Sequence, residues 1–455
     1  MTIDPSEMTI DPSGTTMLDP KAALAELLPP LSEQESIVES NRCLFCFDAP
    51  CTRACPTHID IPRFIKKIAT GNLLGSARTI LESNLIGATC ARVCPVQELC
   101  EGACVLGAEH KPISIGRLQR YAMDFVYAGD TVMFHPAPPT GKRIAVIGSG
   151  PAGLSCAGEL ARRGHSVTVF EKRPFAGGLS TYGIIALREP MEAALAEVEM
   201  VRRLGVEIQT DSELGSDLDI ENLRRNSDAI FLAVGLGSTP DVEIEGEQHI
   251  VDGLLYIEQS KLDVHSLRVG RHVAVIGAGN TAIDCATIAK RLGAERVTML
   301  YRRSEREMTA YPHEYEFIKK EGVEFRFLTK PLRVVMTNGE VSGLECLRMQ
   351  LGEPDESGRP APRPVPGSEF VLAADQIVKA IGQTKPSVAD LLHLETEKGK
   401  IRVNACFETS VSGIYAGGDC IRIRGAASTV MGAQDGKLAA QAIHDRLTNQ
   451  GVAHG

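Results

Sequence analysis

Eight of the thirteen cysteines in this 455-residue chain lie within 62 residues, in two compact blocks. The blocks read Cys43-x2-Cys46-x4-Cys51-x3-Cys55-Pro56 and Cys90-x3-Cys94-Pro95-x4-Cys100-x3-Cys104. Thiolates at such spacings bind iron–sulfur clusters, and a Cys-Pro pair is typical of two-cluster sites. The spacing therefore predicts two 4Fe–4S clusters, whose chemistry is the passage of single electrons.

The two cysteine blocks are expected to exchange ligands, because in two-cluster runs the cysteine before proline ligates the other cluster. The ligands predicted in this way are Cys43, Cys46, Cys51 and Cys104 for the first cluster and Cys55, Cys94 and Cys100 for the second. The fourth ligand of the second cluster is then either Cys90 or a residue that is not a cysteine.

Zinc is the main alternative for these cysteines, since paired C-x2-C runs also form structural zinc sites. Disulfides are a weaker alternative, because the first twenty residues contain no apolar signal segment that would indicate an oxidising compartment. The C-x2-C-x4-C-x3-C-P spacing resembles a cluster run more than a zinc ribbon. We therefore favour iron.

Composition indicates an ordinary soluble protein, with 43% hydrophobic and 23% charged residues. The net charge of −10 argues against nucleic acid or an anionic membrane surface as a partner. No apolar run approaches the roughly 20 residues of a membrane helix. These features predict a cytoplasmic location, where thiolates stay reduced and available to iron.

A dinucleotide fingerprint begins after a short apolar strand, Ile144–Ile147. The strand runs into Gly148-Ser-Gly150-Pro-Ala-Gly153 and an Ala/Leu-rich helix, and a second strand ends at Glu171. The glycines permit a tight turn and close approach to a pyrophosphate, which the helix N-terminus faces. Glu171 lies 23 residues after Gly148, where a carboxylate can accept from ribose hydroxyls.

The same pattern recurs 129 residues later, where Val273–Ile276 leads into Gly277-Ala-Gly279-Asn-Thr-Ala282. At the end of its second strand the expected acid is replaced by Arg302 and Arg303, followed by Arg306. A missing carboxylate with guanidinium groups beside it suits the 2′-phosphate of NADP. A solvated basic turn remains the alternative for these arginines.

Two further segments assign the first fingerprint to FAD. Gly177-Gly178 follows Glu171 as in the FAD-binding units of two-dinucleotide reductases, and Gly413–Asp419 resembles the second FAD motif of that superfamily. Phe231–Gly235 marks the exit from the FAD domain, and the strand Ala374–Gln383, with Gly382, marks the return. The predicted fold class is α/β, with an all-α iron–sulfur module and two Rossmann-like domains, the NAD(P) domain being inserted in the FAD domain.

These signals divide the chain at changes of pattern. The predicted parts are a mobile tail at 1–34, a helical domain binding two clusters at 35–127, a linker at 128–142, a first FAD-domain part at 143–265, an NAD(P)-binding domain at 266–374 and a second FAD-domain part at 375–455. A proline-rich stretch at 352–367 is expected to be an exposed loop. No catalytic acid or base is predicted, because the cofactors carry hydride chemistry and the protein supplies orientation.

From about Ser40 to Ala442, this order of parts resembles the N-terminal half of dihydropyrimidine dehydrogenase and its separate bacterial electron-input subunit. It is more distantly similar to the small subunit of glutamate synthase. The Ile115-Gly-Arg-Leu-Gln119 segment and the Cys94-x5-Cys100-x3-Cys104 spacing match the dehydrogenase pattern. The resemblance implies that Gln119 is the fourth ligand of the second cluster and that Cys90 is not a ligand.

The resemblance also carries over the FAD contacts Glu171–Leu179 and Arg188. The candidate cofactor-binding residues are Gly148, Gly150, Pro151, Ala152, Gly153, Glu171, Lys172, Gly178, Leu179, Arg188, Gly418, Asp419, Gly277, Gly279, Asn280, Thr281, Arg302, Arg303, Arg306 and Gly382. One departure concerns nucleotide choice. Thr309 stands where the eukaryotic dehydrogenase has a further arginine near the NADPH phosphate, and Arg306 is close enough to substitute.

The implied function is that of an oxidoreductase subunit. It takes hydride from NAD(P)H onto FAD and passes electrons through two 4Fe–4S clusters to an FMN-containing partner that reduces uracil and thymine. Nothing in the chain predicts a pyrimidine site, so that chemistry is expected on another chain. The alternatives are the small subunit of glutamate synthase, a sulfide- or polysulfide-type NADPH reductase, and a non-enzymatic metal-sensing or assembly module.

Overall fold

The computed structural model describes residues 8–10, 16–129, 131–355, 358–423 and 428–449. The described residues form two compact units. We call them the insert unit, made of residues up to Leu27, Tyr182–Leu187 and Ser238–Thr384, and the main unit, made of Leu28–Thr181, Arg188–Gly237 and the residues from Lys385 onward. Each unit is described separately below.

Helices occur along most of the described chain. In chain order they are α1 (Pro20–Ala23), α2 (Glu33–Asn41), α3 (Pro50–Ala54), α4 (Ile61–Ala69), α5 (Leu73–Ser83), α6 (Gly87–Val93), α7 (Ile115–Tyr127), α8 (Pro151–Arg162), α9 (Leu179–Tyr182), α10 (Met191–Arg202), α11 (Ile220–Asn226), α12 (Gly253–Leu262), α13 (Asn280–Arg291), α14 (Pro312–Lys320), α15 (Val388–Leu391) and α16 (Thr429–Asn449). Short 3-10 helices lie at Val105–Ala108, Glu247–His249, Val264–Ser266, Glu305–Glu307 and Asp419–Ile421.

The strands are mostly short and concentrate after residue 142. In chain order they are β1 (Met8–Ile10), β2 (Thr16–Leu18), β3 (Arg143–Ile147), β4 (Ser166–Phe170), β5 (Glu207–Gln209), β6 (Ala229–Leu232), β7 (Val251–Asp252), β8 (His272–Ile276), β9 (Arg296–Leu300), β10 (Glu324–Arg326), β11 (Thr329–Thr337), β12 (Glu340–Pro354), β13 (Pro360–Pro364), β14 (Phe370–Ala373), β15 (Gln376–Lys379), β16 (Thr396–Glu397), β17 (Lys400–Ile401) and β18 (Ile414–Ala416).

The cysteine blocks of the main unit lie among the short helices α2–α7. Helix α4 shows why they form: Asp60 caps it by accepting from the Arg63 amide, and Pro62 occupies its first turn. Phe64, Ile65 and Ile68 then repeat at helical spacing and are buried. Together with α2 and α5, α4 gives this region the all-α character that the sequence predicts for the iron–sulfur module.

A five-stranded parallel sheet of order β18-β6-β3-β4-β5 forms the centre of the main unit's second half. Strands β3, β6 and β18 are nearly continuous apolar runs, as expected for a parallel sheet covered by helices on both faces, whereas the edge strand β5 is mostly exposed. Because β3 and β18 run parallel and are separated only by β6, the Gly148 loop and the Gly417-Gly418-Asp419 turn lie at the same edge of the sheet.

The insert unit contains a second five-stranded parallel sheet, of order β10-β9-β8-β15-β7. A separate antiparallel sheet joins β11, β12 and β13, with β14 also pairing with β12. The Gly277 loop follows β8 at the carboxyl edge of the parallel sheet, the edge at which such folds bind nucleotides. The α/β fold class predicted from the sequence is confirmed by both sheets.

The insert unit is larger than the sequence indicates. Strand β15, expected to mark the return to the FAD domain, pairs with β8 instead, so the insert runs from Ser238 to Thr384. An apolar strand suits either parallel sheet, and its pattern does not say which one it joins. Residues 352–367 also differ from the expected loop, because β12 and β13 pair across them.

The N-terminal segment differs from a mobile tail over its described part. Residues 1–7 and 11–15 lie outside the described residues, but β1 pairs with β2, and Leu24 is buried in the core of the insert unit. Leu31 is buried in the core of the main unit around the cysteine blocks. Burial of these two leucines holds the segment against the cores, whereas a disordered segment has too few apolar residues to do so. In the described part of the chain, no helix is both long and apolar enough to span a membrane.

Candidate functional site

One cavity in the main unit is lined by four thiols from both cysteine blocks: Cys43, Cys46, Cys51 and Cys104. Phe45 has a left-handed backbone (φ 49°), which turns the chain between Cys43 and Cys46. The remaining walls are mostly apolar, including Ile61, Ile65 and Ile113. The structure thus places Cys104 with the first block, as expected if the two cysteine blocks exchange ligands.

The second group contains Cys55, Cys94 and Cys100, whose thiols interact electrostatically with one another. Cys55 ends α3 and Cys94 ends α6, so two helix C-termini present them. Cys90 is also close, since its thiol hydrogen-bonds Cys94, but it is buried in the core built around the parallel sheet.

The bare thiols are poor metal ligands until iron displaces their protons. Burial raises the pKa of Cys51 to about 11 and also raises the pKa of Cys43. Among the described residues no three His, Cys, Asp or Glu side chains are placed to hold a single metal ion. The four thiols line one cavity, an arrangement that can hold a cluster.

Gln119 lies on α7 and is buried, and its Nε2 atom donates to the Gly87 carbonyl over 2.7 Å. Because a carbonyl only accepts, the amide nitrogen must face Gly87, and the side-chain oxygen is the end left for another partner. Gly87 begins α6, the helix that Cys94 ends. Gln119 and a cysteine of the second group are therefore tied to the same short helix.

The loop after β3 forms a glycine cradle. Gly148 (φ 97°) and Gly178 (φ 59°) have left-handed backbones, and a Cβ atom on Gly178 would lie 2.6 Å from the Gly150 Cα. Glu171 is buried at the end of β4, where its Oε2 atom accepts from the Ser149 amide at 3.0 Å and from its hydroxyl at 2.5 Å. The cradle fits a pyrophosphate at the N-terminus of α8, with an acid placed for the ribose.

Helix α16 completes this site by crossing α8 at very short range. A Cβ atom on Gly436 would lie 2.1 Å from the Ala152 carbonyl oxygen. Asp435, on the same helix, accepts from the Gly418 amide at 3.1 Å and pairs with Arg422. Asp419 follows Gly418, and burial raises its pKa. The two FAD segments expected from the sequence are thus in one site, and Ser149 and Asp435 are contributors that sequence reasoning missed.

The other candidates of the main unit lie around this cradle. Pro151, Ala152 and Gly153 form the first turn of α8, and Leu179 begins α9 and is exposed. Lys172 is exposed beside Glu213, and Arg188 is half-buried in the segment before α10.

The second glycine loop is in the insert unit. Gly277 (φ 139°) leaves no room for a side chain, since a Cβ atom would lie 2.2 Å from the Ala380 carbonyl oxygen. Gly279 ends the loop, α13 begins with Asn280 and Thr281, and Asn280 accepts from the Tyr311 amide at 3.1 Å. Gly382 (φ 99°) also lies in this unit.

The three arginines of this loop region have different surroundings. Arg302 and Arg306 are exposed, whereas Arg303 is 4% exposed and forms a 2.5 Å ion pair with Asp355. The Arg303 Nε atom also donates to the Pro360 carbonyl at 3.1 Å. Arg303 thus holds the start of β13 against the turn after β9, and Arg302 and Arg306 are the guanidinium groups exposed to a phosphate.

Two glycine loops at the carboxyl edges of two parallel sheets, together with two groups of clustered thiols, define a two-dinucleotide flavoprotein oxidoreductase with an iron–sulfur region. Residues 142–446 match the pyridine nucleotide-disulphide oxidoreductase family, and residues 21–131 match dihydropyrimidine dehydrogenase domain II, 4Fe-4S cluster. The chain belongs to the pyridine nucleotide-disulphide oxidoreductase family and carries this 4Fe–4S domain at its N-terminal side. The predicted cofactors, FAD, 4Fe–4S clusters and a nicotinamide nucleotide, are confirmed.

Three relatives show how the similarity is distributed. The chain is 33% identical to the glutamate synthase [NADPH] small chain of Escherichia coli K12 over 461 residues, covering 96% of this chain and 97% of that one. It is 33% identical over 427 residues to the NAD-dependent dihydropyrimidine dehydrogenase subunit PreT of Escherichia coli O157:H7, covering 93% and 97%. It is 37% identical over 436 residues to the NADP(+)-dependent formate dehydrogenase subunit beta of Moorella thermoacetica, covering 89% of this chain but only 60% of that subunit.

Among solved structures, FprA of Mycobacterium tuberculosis in complex with NADPH is similar in fold. The TM-score is 0.57 at 18% identity, covering 70% of this chain and 86% of that one. At this identity the likeness shows the fold alone.

Proposed function

We propose that this chain is the NAD(P)H-oxidising subunit of a dihydropyrimidine dehydrogenase. It takes hydride from NAD(P)H onto FAD and sends electrons through two 4Fe–4S clusters to an FMN-containing partner. That partner reduces uracil and thymine to their 5,6-dihydro forms. The cysteine chemistry suits the reducing cytoplasm.

The placement of Gln119 carries this choice of substrate. Four thiols line the first cavity, whereas the second group has three thiols besides the core-buried Cys90. The Gln119 Nε2 atom is tied by its hydrogen bond to Gly87, on the helix that leads to Cys94, so the side-chain oxygen is the end that we propose as a ligand. A glutamine ligand in an Ile-Gly-x-Leu-Gln segment is the dehydrogenase pattern, whereas the glutamate synthase group resembles it with glutamate there. Similarity to PreT over nearly the whole of both chains supports the same reading.

The proposed ligands are Cys43, Cys46, Cys51 and Cys104 for the first cluster and Cys55, Cys94, Cys100 and Gln119 for the second. The Gly148 loop, the α8 N-terminus and Glu171 bind the FAD pyrophosphate and ribose, and Gly418 and Asp419 hold its ribityl end. FAD supplies the step between two-electron hydride chemistry and single electrons. The chain's own residues orient the cofactors, and buried apolar walls such as Ile61 and Ile65 exclude water from the first cluster.

The second candidate function is that of a glutamate synthase small subunit, because the similarity to the small chain of that enzyme covers 96% of this chain. It shares the hydride and electron steps and differs in the partner. The two candidates are therefore separated only by what the partner reduces.

The isolated chain tests the electron-input half of the proposal. After anaerobic purification it should contain one FAD and about eight irons, as two 4Fe–4S clusters require. It should reduce ferricyanide with NAD(P)H and leave uracil unchanged, because it supplies electrons without a pyrimidine site. Two zinc ions without iron, or turnover of uracil by the chain alone, would refute it.

A further inference from the structure

Two buried glutamates meet at one hydroxyl inside the main unit. The Thr89 Oγ1 atom contacts the carboxyl group of Glu189 and lies 2.5 Å from the Glu197 Oε2 atom. Glu189 is 0% and Glu197 2% exposed. We call Glu189 and Glu197 the acid pair and Thr89 its bridge.

The hydrogen count of this contact requires an extra proton. A threonine hydroxyl has one hydrogen and donates it once. Two ionised carboxylates cannot both be hydrogen-bonded to it, and their like charges would repel strongly without solvent. One carboxyl group must therefore carry a proton and donate it to the Thr89 oxygen, so the acid pair shares one proton.

The acid pair is joined to both cofactor regions of the main unit. The Glu197 Oε1 atom accepts from the amides of Ala88 (2.6 Å) and Thr89 (3.1 Å) at the start of α6. That helix begins at Gly87, which Gln119 contacts, and ends at Cys94. Thr89 and Glu197 also line a small cavity with Gly177 and Ser180 of the glycine cradle. The pair thus lies between the flavin cradle and the second cysteine group.

The surroundings of the pair favour its neutral form. Burial, and then the charge of Glu189, raise the pKa of Glu197 to about 8. From α7 the Tyr127 hydroxyl lies close to Glu197, and burial and then the charge of Glu197 raise the pKa of Tyr127. Arg92 of α6 acts on Tyr127 and pairs with Asp124 at 2.7 Å. On the α8 side the small cavity has the apolar walls Pro151 and Leu154.

We propose that Glu189 and Glu197 form a redox-linked proton site, which in alkaline solution releases its shared proton to solvent as electrons leave the main unit and binds one as they arrive. Negative charge on a reduced cofactor nearby stabilises the neutral pair, because Coulomb interactions are strong in a buried, poorly screened region. One carboxyl O–H bond breaks or forms, the proton goes to or comes from water, and the electrons come from NAD(P)H. The inference rests on electron transfer through this unit, which both candidate functions share.

Infrared spectroscopy tests the shared proton without reference to turnover. The holoprotein at neutral pH should show a carboxylic-acid carbonyl band that shifts in D2O and is lost in the double variant Glu189→Gln/Glu197→Gln. Glu159→Gln is the matched control, because Glu159 is a 7%-exposed glutamate of the same unit that pairs with Arg162 instead of another acid. The control should keep the band.

Redox titration, monitored by electron paramagnetic resonance at a series of pH values, tests the linkage. Below about pH 8, where the pair is protonated in both redox states, the midpoint potential of the second cluster should be constant. Above that pH reduction takes up a proton, so the potential should fall as pH rises. In Glu197→Gln, and in Thr89→Val should the first variant fold poorly, the slope should disappear, and Glu159→Gln should titrate like the wild type.

A wild-type potential that is equally constant on both sides of pH 8 would overturn the proposal, as would a slope retained in Glu197→Gln. These readouts use the purified subunit alone. They are therefore independent of whether the partner reduces a pyrimidine.

Discussion

Arg303 is an example of a motif residue that the fold itself uses. The sequence places it beside Arg302 where a 2′-phosphate would bind, yet it is buried and pairs with Asp355, 52 residues along the chain. Spacing near a glycine loop cannot reveal a partner so distant. The contacts of Thr89 with Glu189 and Glu197 could not be predicted for the same reason, since these acids lie 100 and 108 residues away.

Nucleotide choice should depend on Arg302 more than on Arg303. A charge-assisted contact to a phosphate is worth about 1.5–3 kcal/mol, so Arg302→Ala should raise the KM for NADPH by roughly tenfold or more and leave NADH little changed. Arg303→Ala is the comparison: it removes the ion pair with Asp355 and should lower the melting temperature. Steady-state kinetics and thermal unfolding measure both. If Arg302→Ala weakens both nucleotides equally, or the wild type already prefers NADH, the exposed arginines form only a solvated turn.

Ligation of the second cluster should depend on Gln119 and not on Cys90. Oxygen in place of thiolate changes the net charge of the cluster, which is a determinant of its potential. Gln119→Cys should therefore keep the iron content and shift one midpoint potential, and Cys90→Ser should keep about eight irons. Iron analysis and redox titration check this. Loss of iron in Cys90→Ser with none in Gln119→Ala would reverse the assignment.

At the scale of elements, the sequence predicted the strand–loop–helix units well because their glycines, apolar runs and caps are local. It began the insert too late, at 266, and ended it too early, at 374, because β15 is a short buried strand that either parallel sheet could accept. It also missed β13, since prolines at Pro360, Pro362 and Pro364 suggest a loop, although this strand pairs with β12 at the edge of its sheet, where prolines are tolerated.

The crossing of α8 and α16 should be essential for FAD binding. Gly436→Ala would place a Cβ atom 2.1 Å from the Ala152 carbonyl oxygen, so α16 must move and disturb the Gly418 turn. Gly432→Ala on the same helix is the matched control, since its Cβ atom would have only ordinary contacts at 3.7 Å or more. We expect the first variant to lose most of its FAD and the second to retain it. Flavin absorbance per chain measures this, and equal FAD content in both variants would contradict the role of the crossing.

At the scale of the whole molecule, the spacing of the cysteines and the two glycine fingerprints were enough to identify a flavoprotein oxidoreductase with iron–sulfur clusters. The substrate of the partner rests on Gln119 and on resemblance, because both candidate relatives are 33% identical to the chain over nearly their full lengths. Local chemistry in this chain fixes how electrons enter.

The most direct test of the proposed function is therefore to isolate the chain anaerobically with its natural partner and to follow NAD(P)H oxidation. We predict an FMN-containing complex in which oxidation depends on uracil or thymine and yields one 5,6-dihydropyrimidine per NAD(P)H. Glutamine with 2-oxoglutarate should have no effect. Oxidation that depends on glutamine and 2-oxoglutarate, and does not respond to uracil, would contradict the pyrimidine assignment.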